Sequence, residues 1–300
     1  MSAIMKHDMK AILGEDFFKE EVRCDYLISA EMKRVFAVLL DLYMTFAEIC
    51  DKHGLRYYAF SGMMLGAVRH KGFIPWDDDL DVAMPREDYN KFMEIAPKEV
   101  ESPYFVRTPY TDPECYYSYI VLMNLSTSFI PKIFKNKPFK KGIPLDIFPL
   151  DYCDLDKYDQ DREVIYNHIM RCTTWMKRGC TGLSKQQNEN FKTFHTDNPL
   201  LEWETIQKVA SNPLYKGSES VAISVLTTTD KEHLIFPTKA FDNYIMMPFE
   251  KINVRVPIGY EDLLVRLYGD WHKYPPINER GKKNDSIIFD PDNSYLSYID

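Results

Sequence analysis

The stretch "GFIPWDDDLDVAMPRED", residues 72–88, crowds four aspartates (Asp77, Asp78, Asp79 and Asp81) into five positions, between a Pro-Trp corner and an apolar run. The alternation after Asp78 predicts a β-strand, and Pro85 is suited to open a helix, "PREDYNKFMEIA", behind it. Alternate side chains of a strand share a face, so Asp79 and Asp81 are expected to point the same way with Asp77 just before them. Carboxylates this close cannot all stay ionised in a partly buried site unless a cation offsets their repulsion. Hard oxygen ligands favour Mg2+ or Mn2+, which keep some waters and bridge to phosphate oxygens. A solvated acidic turn rarely needs flanks such as Phe73, Ile74, Trp76, Leu80 and Val82. A calcium EF-hand fails, because Val82 stands where the loop needs glycine and Asp88 where it needs glutamate.

Upstream lies "AFSGMMLGAVRHKG", residues 59–72. A strand ending in Ser61-Gly62 at a helix start offers backbone N–H groups and a helix dipole to an anion. Arg69, His70 and Lys71 add positive charge between this turn and the aspartates. Downstream, Asp146 sits in "GIPLDIFPLD" among Leu, Ile and Phe, where burial without a counter-charge is costly. A metal shared with Asp79 and Asp81 would supply that charge; Asp151, at the end of the same segment, is a weaker candidate. A phosphate cradle facing an Asp-x-Asp pair and a third aspartate suits phosphoryl or nucleotidyl transfer, which relies on positioning and charge stabilisation.

The remaining composition sets bounds. With 300 residues the chain is long enough for a sizeable core, and a net charge of −8 gives no footing for nucleic-acid binding through phosphates. Six scattered cysteines without Cys-x-x-Cys, behind an N-terminus lacking a signal-peptide core, lead us to expect reduced thiols and a cytoplasmic location. His168, Cys172, Cys180 and His195 form a loosely spaced zinc alternative. No apolar run approaches the length of a transmembrane helix.

Apolar spacing predicts a helix over 29–53 ending at Gly54, a strand over 55–60, further strands at 115–125 and 143–151, and a long helix through "LDKYDQDREVIYNHIMRCTTWMKRG". Residues 181–198 read as a polar, mobile loop. Strand-like "NYIMMPFEKINVRVP" and the helical "GYEDLLVRLYGD" follow. The expected fold is α+β: a core over 29–155 with a mixed sheet flanked by helices, and a more helical extension over 156–300 that completes the same domain.

At these residues the chain resembles the LicD family, which includes bacterial phosphocholine transferases and is related to the fukutin-related proteins. "SGMMLGAVRHKGFIPWDDDLDVAMPRED" (61–88), "GIPLDIFPLD" (142–151) and "VPIGYEDLLVRLYGDW" (256–271) carry the resemblance, with Met63 where the family has a small residue. It implies a nucleotidyltransferase-like fold, a phosphate-binding turn at Ser61 and Gly62, and a carboxylate triad of Asp79, Asp81 and Asp146. It also implies transfer of phosphocholine from CDP-choline to a hydroxyl of a cell-surface glycan or its precursor, releasing CMP. Donors carrying ethanolamine, glycerol or ribitol stay open, as do a nucleotidyltransferase acting on a small molecule and a non-catalytic glycan binder. Asp146 is the first choice for accepting the hydroxyl proton. A quaternary ammonium needs aromatic faces. Tyr57, Tyr58, Phe73, Trp76, Tyr268, Trp271 and Tyr274 are candidates, Trp76 foremost. Arg280 and the lysines after it are candidate contacts to phosphate or acceptor. The basic, aromatic-laced 131–142 is a candidate peripheral contact with the inner face of a membrane, where a lipid-linked glycan acceptor would lie, or a steering loop for the donor.

Overall fold

The computed structural model describes residues 3–223, 231–281 and 286–298. A short helix α1 (Met9–Leu13) and a hairpin of β1 (Glu21–Arg23) and β2 (Tyr26–Ile28) precede the long helix α2 (Ala30–His53). Ser29 starts α2 by accepting the Met32 N–H at 3.1 Å, and Gly54 ends it in the left-handed region at φ 63°. The helix is apolar on nearly every face because it runs under the sheet as the spine of the core, with Val35, Phe36, Leu39, Leu42 and Phe46 fully enclosed.

Strand β3 (Tyr58–Phe60) leads into α3 (Ser61–Leu65), which widens into a π turn over Gly66–His70. Strand β4 (Asp81–Pro85) and helix α4 (Arg86–Glu99) follow, then β5 (Tyr104–Arg107), β6 (Ile120–Asn124), β7 (Ser128–Pro131) and the long β8 (Ile143–Tyr152). Helices α5 (Tyr158–Lys177), α6 (Lys185–Thr193) and α7 (Pro199–Ala210) come next. After them the chain returns to sheet in β9 (Ser220–Ile223) and, past the short α8 (Lys231–Leu234), β10 (Ile235–Pro237). The hairpin β11 (Tyr244–Phe249) and β12 (Ile252–Pro257), helix α9 (Tyr260–Tyr268) and β13 (Ser286–Asp290) close the described chain.

The fold is α+β with a mixed sheet centred on β8. Strand β4 pairs with it in parallel and β3 adds antiparallel beyond. The other edge of β8 is shared between β6, which brings β5, and β9, which brings β10. Register runs straight across this sheet: Phe60 is opposite Asp81, Asp81 opposite Asp146, Asp146 opposite Val121, and Val121 opposite Arg107. Residues in register on neighbouring strands point to one face, so this row places two carboxylates at its middle and a guanidinium at its edge.

Strands β9 and β10 extend the sheet built by the first half of the chain, and Phe236, Phe249 and Val254 lie in the same core as α2. Helices α5 and α7 bury Trp203, Ile206, Ile165 and Met176 in a second cluster with Phe134 and Phe139. Residues 181–198 are not a continuous loop. Ser184 and Gln187 form a reciprocal capping box that starts α6. The strand expected at 115–125 is shorter, since a turn bonding the Cys115 N–H to the Asp112 carbonyl holds its first residues out of the sheet. No helix among the described residues is long and apolar enough to cross a membrane.

Candidate active site

All three residues of β3 are buried, and the chain leaves the sheet at Ser61 with φ 47°, a left-handed conformation costly for a residue with a β-carbon. That bend carries Gly62 against the acidic segment. A β-carbon on Gly62 would stand 2.5 Å from Asp77 Oδ2, so only glycine lets the helix start approach the carboxylate this closely. The Ser61 hydroxyl donates to Asp81 and also lies 3.1 Å from the Tyr268 hydroxyl at the end of α9.

A turn closed by the Asp77 N–H on the Ile74 carbonyl, 3.0 Å, presents the acidic run to the same place. Strand β4 begins only at Asp81, so Asp79 belongs to the extended lead-in and not to the strand expected from the sequence. Carboxylate oxygens of Asp77, Asp78 and Asp79 all lie within 4.8 Å of one another. Burial, then the charges of Asp79 and Asp78, push Asp77 up to about 7. Burial followed by Asp79 does the same to Asp146, against the opposing pull of Arg107 and a hydrogen bond from Tyr119. Burial also raises Asp79, and it holds Asp81 well above the ordinary carboxylate range with help from Asp79, Asp146 and Asp77. Carboxylates this buried and this close repel one another, and the pull of Arg107 on Asp146 offsets only part of that repulsion. An all-oxygen donor set under that repulsion fits a hard divalent cation such as Mg2+ or Mn2+.

The aspartates form one wall of a cleft of about 670 Å3. Its opposite wall comes from the segment after α9 together with Arg69 and Trp76. Arg69 is held by the carbonyls of Trp271 at 2.7 Å and Lys273 at 3.0 Å, with no carboxylate partner among the described residues, and it lines the cleft. Trp76 and Tyr274 meet edge to face at 6.0 Å, with His70 stacked on Tyr274 at 5.4 Å. The Arg280 guanidinium lies over Trp76 at 4.7 Å and 5.5 Å from the Tyr274 ring, so the aromatic corner already accommodates a cation.

Ser61, Gly62, Arg69, Trp76, Asp79 and Asp81 thus share one cleft, and Arg280 stands at its aromatic corner. Asp77 and Asp78 join them, although the Asp-x-Asp pattern singled out only Asp79 and Asp81 as ligands. The signal for Asp77 was in the sequence: Asp77 and Asp79 have the same Asp-x-Asp spacing as Asp79 and Asp81. Asp146 adjoins Asp81 on the sheet but lines a second, smaller recess together with Arg107 and Tyr119. Lys71 is not brought to the cleft: it ends its own helix in the left-handed region, its ammonium donating to the Val68 carbonyl at 3.1 Å. Asp151 pairs with buried Arg86 at 2.5 Å, a structural contact. Tyr57, Tyr58 and Phe73 are core residues, whereas Tyr268, Trp271 and Tyr274 line the cleft.

The zinc alternative does not assemble. His168 faces Glu202, Cys172 donates to the Pro199 carbonyl at 3.6 Å, and His195 lies 3.7 Å from Asp197. In 131–142, Phe134 and Phe139 are buried against each other at 5.2 Å, so the segment offers lysines but not its aromatics to a membrane surface. Lys282 and Lys283, which follow Arg280, lie outside the described residues.

A serine–glycine turn after one strand, an acidic run leading into the next and a third acid in register on the strand beyond are set on a nucleotidyltransferase-like fold. Residues 54–151 match the family model described as LicD/FKTN/FKRP, nucleotidyltransferase domain. Over 266 residues, 81% of this chain and 92% of the relative, it is 26% identical to the lipopolysaccharide cholinephosphotransferase LicD of Haemophilus influenzae. Shorter similarities join it to uncharacterized proteins of two rickettsiae. One, from Rickettsia typhi, is 47% identical over 51 residues, 17% of this chain and 16% of that protein. The other, from Rickettsia prowazekii, is 30% identical over 95 residues, 32% of this chain and 33% of that protein.

Proposed function

We propose that this protein is a metal-dependent transferase that moves phosphocholine from CDP-choline to a hydroxyl of a cell-surface glycan or its precursor, releasing CMP. The observation that carries this reading is the pairing, in one cleft, of a close-set carboxylate cluster with an arginine and aromatic wall. The similarity to a lipopolysaccharide cholinephosphotransferase supports the group transferred. Donors carrying ethanolamine, glycerol or ribitol are the alternatives on the same site.

Asp77, Asp79 and Asp81, with Asp146 beside them, are the residues that would hold Mg2+ or Mn2+. A cation there supplies charge neutralisation on the donor diphosphate. Arg69 and the turn at Ser61-Gly62 orient the phosphates, and the Trp76–Tyr274 corner receives the quaternary ammonium, with Arg280 shifting toward phosphate as it enters. The acceptor oxygen attacks the phosphorus bearing the alcohol, the P–O bond to CMP breaks, and the hydroxyl proton passes to Asp146. Tyr119, which donates to Asp146, fixes that carboxylate's orientation. Six free thiols fit a reducing, cytoplasmic setting.

The test is calorimetric titration with CDP-choline, CDP-ethanolamine and CDP-glycerol, each with Mg2+ and with EDTA, on wild type and on Asp79→Ala/Asp81→Ala. Binding of CDP-choline that needs both metal and aspartates is the expected result. If no CDP-linked donor binds and a nucleoside triphosphate does, the protein is a nucleotidyltransferase instead.

A further inference from the structure

The recess behind the aspartates has chemistry of its own. It measures about 80 Å3 and is lined by Asp146, Tyr119, Arg107, Lys140 and Lys141. Two of these cations are deeply buried: Arg107 is 7% exposed and Lys141 2%. Arg107 donates to the Lys140 carbonyl, but its Nε makes no hydrogen bond and stands 3.5 Å from Asp112, whose carboxylate also accepts the Lys140 N–H at 3.1 Å. Lys141 has no carboxylate within ion-pair distance among the described residues; its ammonium donates to the Lys137 carbonyl and faces the rings of Phe139 and Tyr295. Arg107 thus has Asp112 at the edge of ion-pair distance and Asp146 within electrostatic reach, while buried Lys141 has no ion-pair partner among the described residues. A buried charge without a partner is strongly disfavoured, so the arrangement is costly unless an anion completes it. Two inter-strand spacings, roughly 10 Å, separate the backbones of Arg107 and Asp146 in the register row, and both side chains reach into the same recess. An anionic group held by Arg107 and Lys141 would therefore leave the molecule that carries it beside Asp146.

We propose that this recess is a subsite for a phosphate group carried by the acceptor, held by Arg107 and Lys141 while the acceptor's hydroxyl lies at Asp146. It rests on the transferase reading for the identity of the ligand as an acceptor. The phosphate site itself does not depend on that reading.

The experiment is titration of the full chain in EDTA, without nucleotide, with inorganic phosphate, glucose 6-phosphate and glucose. Chelation removes any phosphate bound through metal at the aspartates. Wild type is expected to bind glucose 6-phosphate at least as tightly as inorganic phosphate, and glucose not measurably. Lys141→Met, which keeps the aliphatic packing on Phe139, should weaken both phosphate ligands by about tenfold or more, and Lys141→Arg should restore them. Circular dichroism and an unchanged Mg2+ affinity confirm that the Met variant is folded. Binding of inorganic phosphate but not of glucose 6-phosphate would assign the recess to free phosphate and overturn the acceptor assignment. No phosphate binding in EDTA, or equal binding by wild type and Lys141→Met, would overturn the site. Failure of the transferase reading shows separately, as loss of CDP-donor binding in Mg2+.

Discussion

At the residue scale the aspartates differ in what they should cost. Asp79→Asn/Asp81→Asn removes charge from the centre of the cluster and should lower turnover by at least ~100-fold, the scale of losing one strong electrostatic stabiliser. Steady-state rates with CDP-choline check it. Gly62→Ala separates geometry from charge. Its β-carbon meets only the tip of the Asp77 side chain, which can swing away, so the protein should fold while Mg2+ affinity falls about tenfold or more. Calorimetric Mg2+ titration alongside a thermal melt tests both halves. Trp76 decides the alcohol. Cation–π attraction in a desolvated corner is worth about 2 kcal/mol, so Trp76→Ala should weaken CDP-choline by roughly tenfold or more and leave CDP-glycerol unchanged. Equal losses for both donors would make Trp76 a packing residue and take choline out of the reading.

At the scale of elements, the cleft depends on how the acidic loop is pinned. Glu250, in the β11–β12 turn, accepts the Phe73 N–H at 3.0 Å and pairs with Arg23 of β1 at 2.7 Å, so two hairpins clamp the loop from behind. Glu250→Gln keeps the shape but leaves Arg23 and the loop under-compensated. Arg23 keeps its two contacts to Glu21 at 3.1 Å, so the loss of stability should be about 1–2 kcal/mol, read from urea unfolding, the scale of a charged hydrogen bond. The sequence exposed β4 and β8 because their alternation is strong, and it exposed α2 through its length and its glycine stop. It hid the placement of Asp79 outside the strand, because alternation continues across a lead-in whose bond to β8, from the Asp146 N–H to the Leu80 carbonyl at 3.2 Å, begins only after Asp79. Helix α6 was legible in principle: Ser184 and Gln187 have capping-box spacing, outweighed in reading by the polarity of the residues around them. Contacts such as Glu250 with Arg23 join positions 227 apart in sequence and have no local signature.

At the scale of the molecule, one sheet face organises both recesses. The register row from Phe60 to Arg107 could not be read from any single segment, since it needs the pairing of five strands, yet it explains why Asp146 adjoins the acidic cleft and opens beside the basic pocket. This convergence has a thermodynamic consequence. Asp77 and Asp146 hold protons up to about pH 7 in the folded chain, whereas unfolding returns them to the ordinary value of 3.8. Between those values the native state binds more protons than the unfolded one, so without metal stability falls as pH rises through that window. A cation reverses the preference by favouring the ionised carboxylates, and binding only the folded state it also stabilises by mass action. Thermal melts in EDTA should therefore show a lower midpoint at pH 8 than at pH 5.5, with Mg2+ raising the midpoint more at pH 8. Mg2+ binding near pH 6.5 should release protons, visible as a buffer-dependent enthalpy. A metal-free melt that is flat across this range would mean that the carboxylates are already compensated within the chain, and the case for a divalent cation at Asp77, Asp79, Asp81 and Asp146 would fall with it.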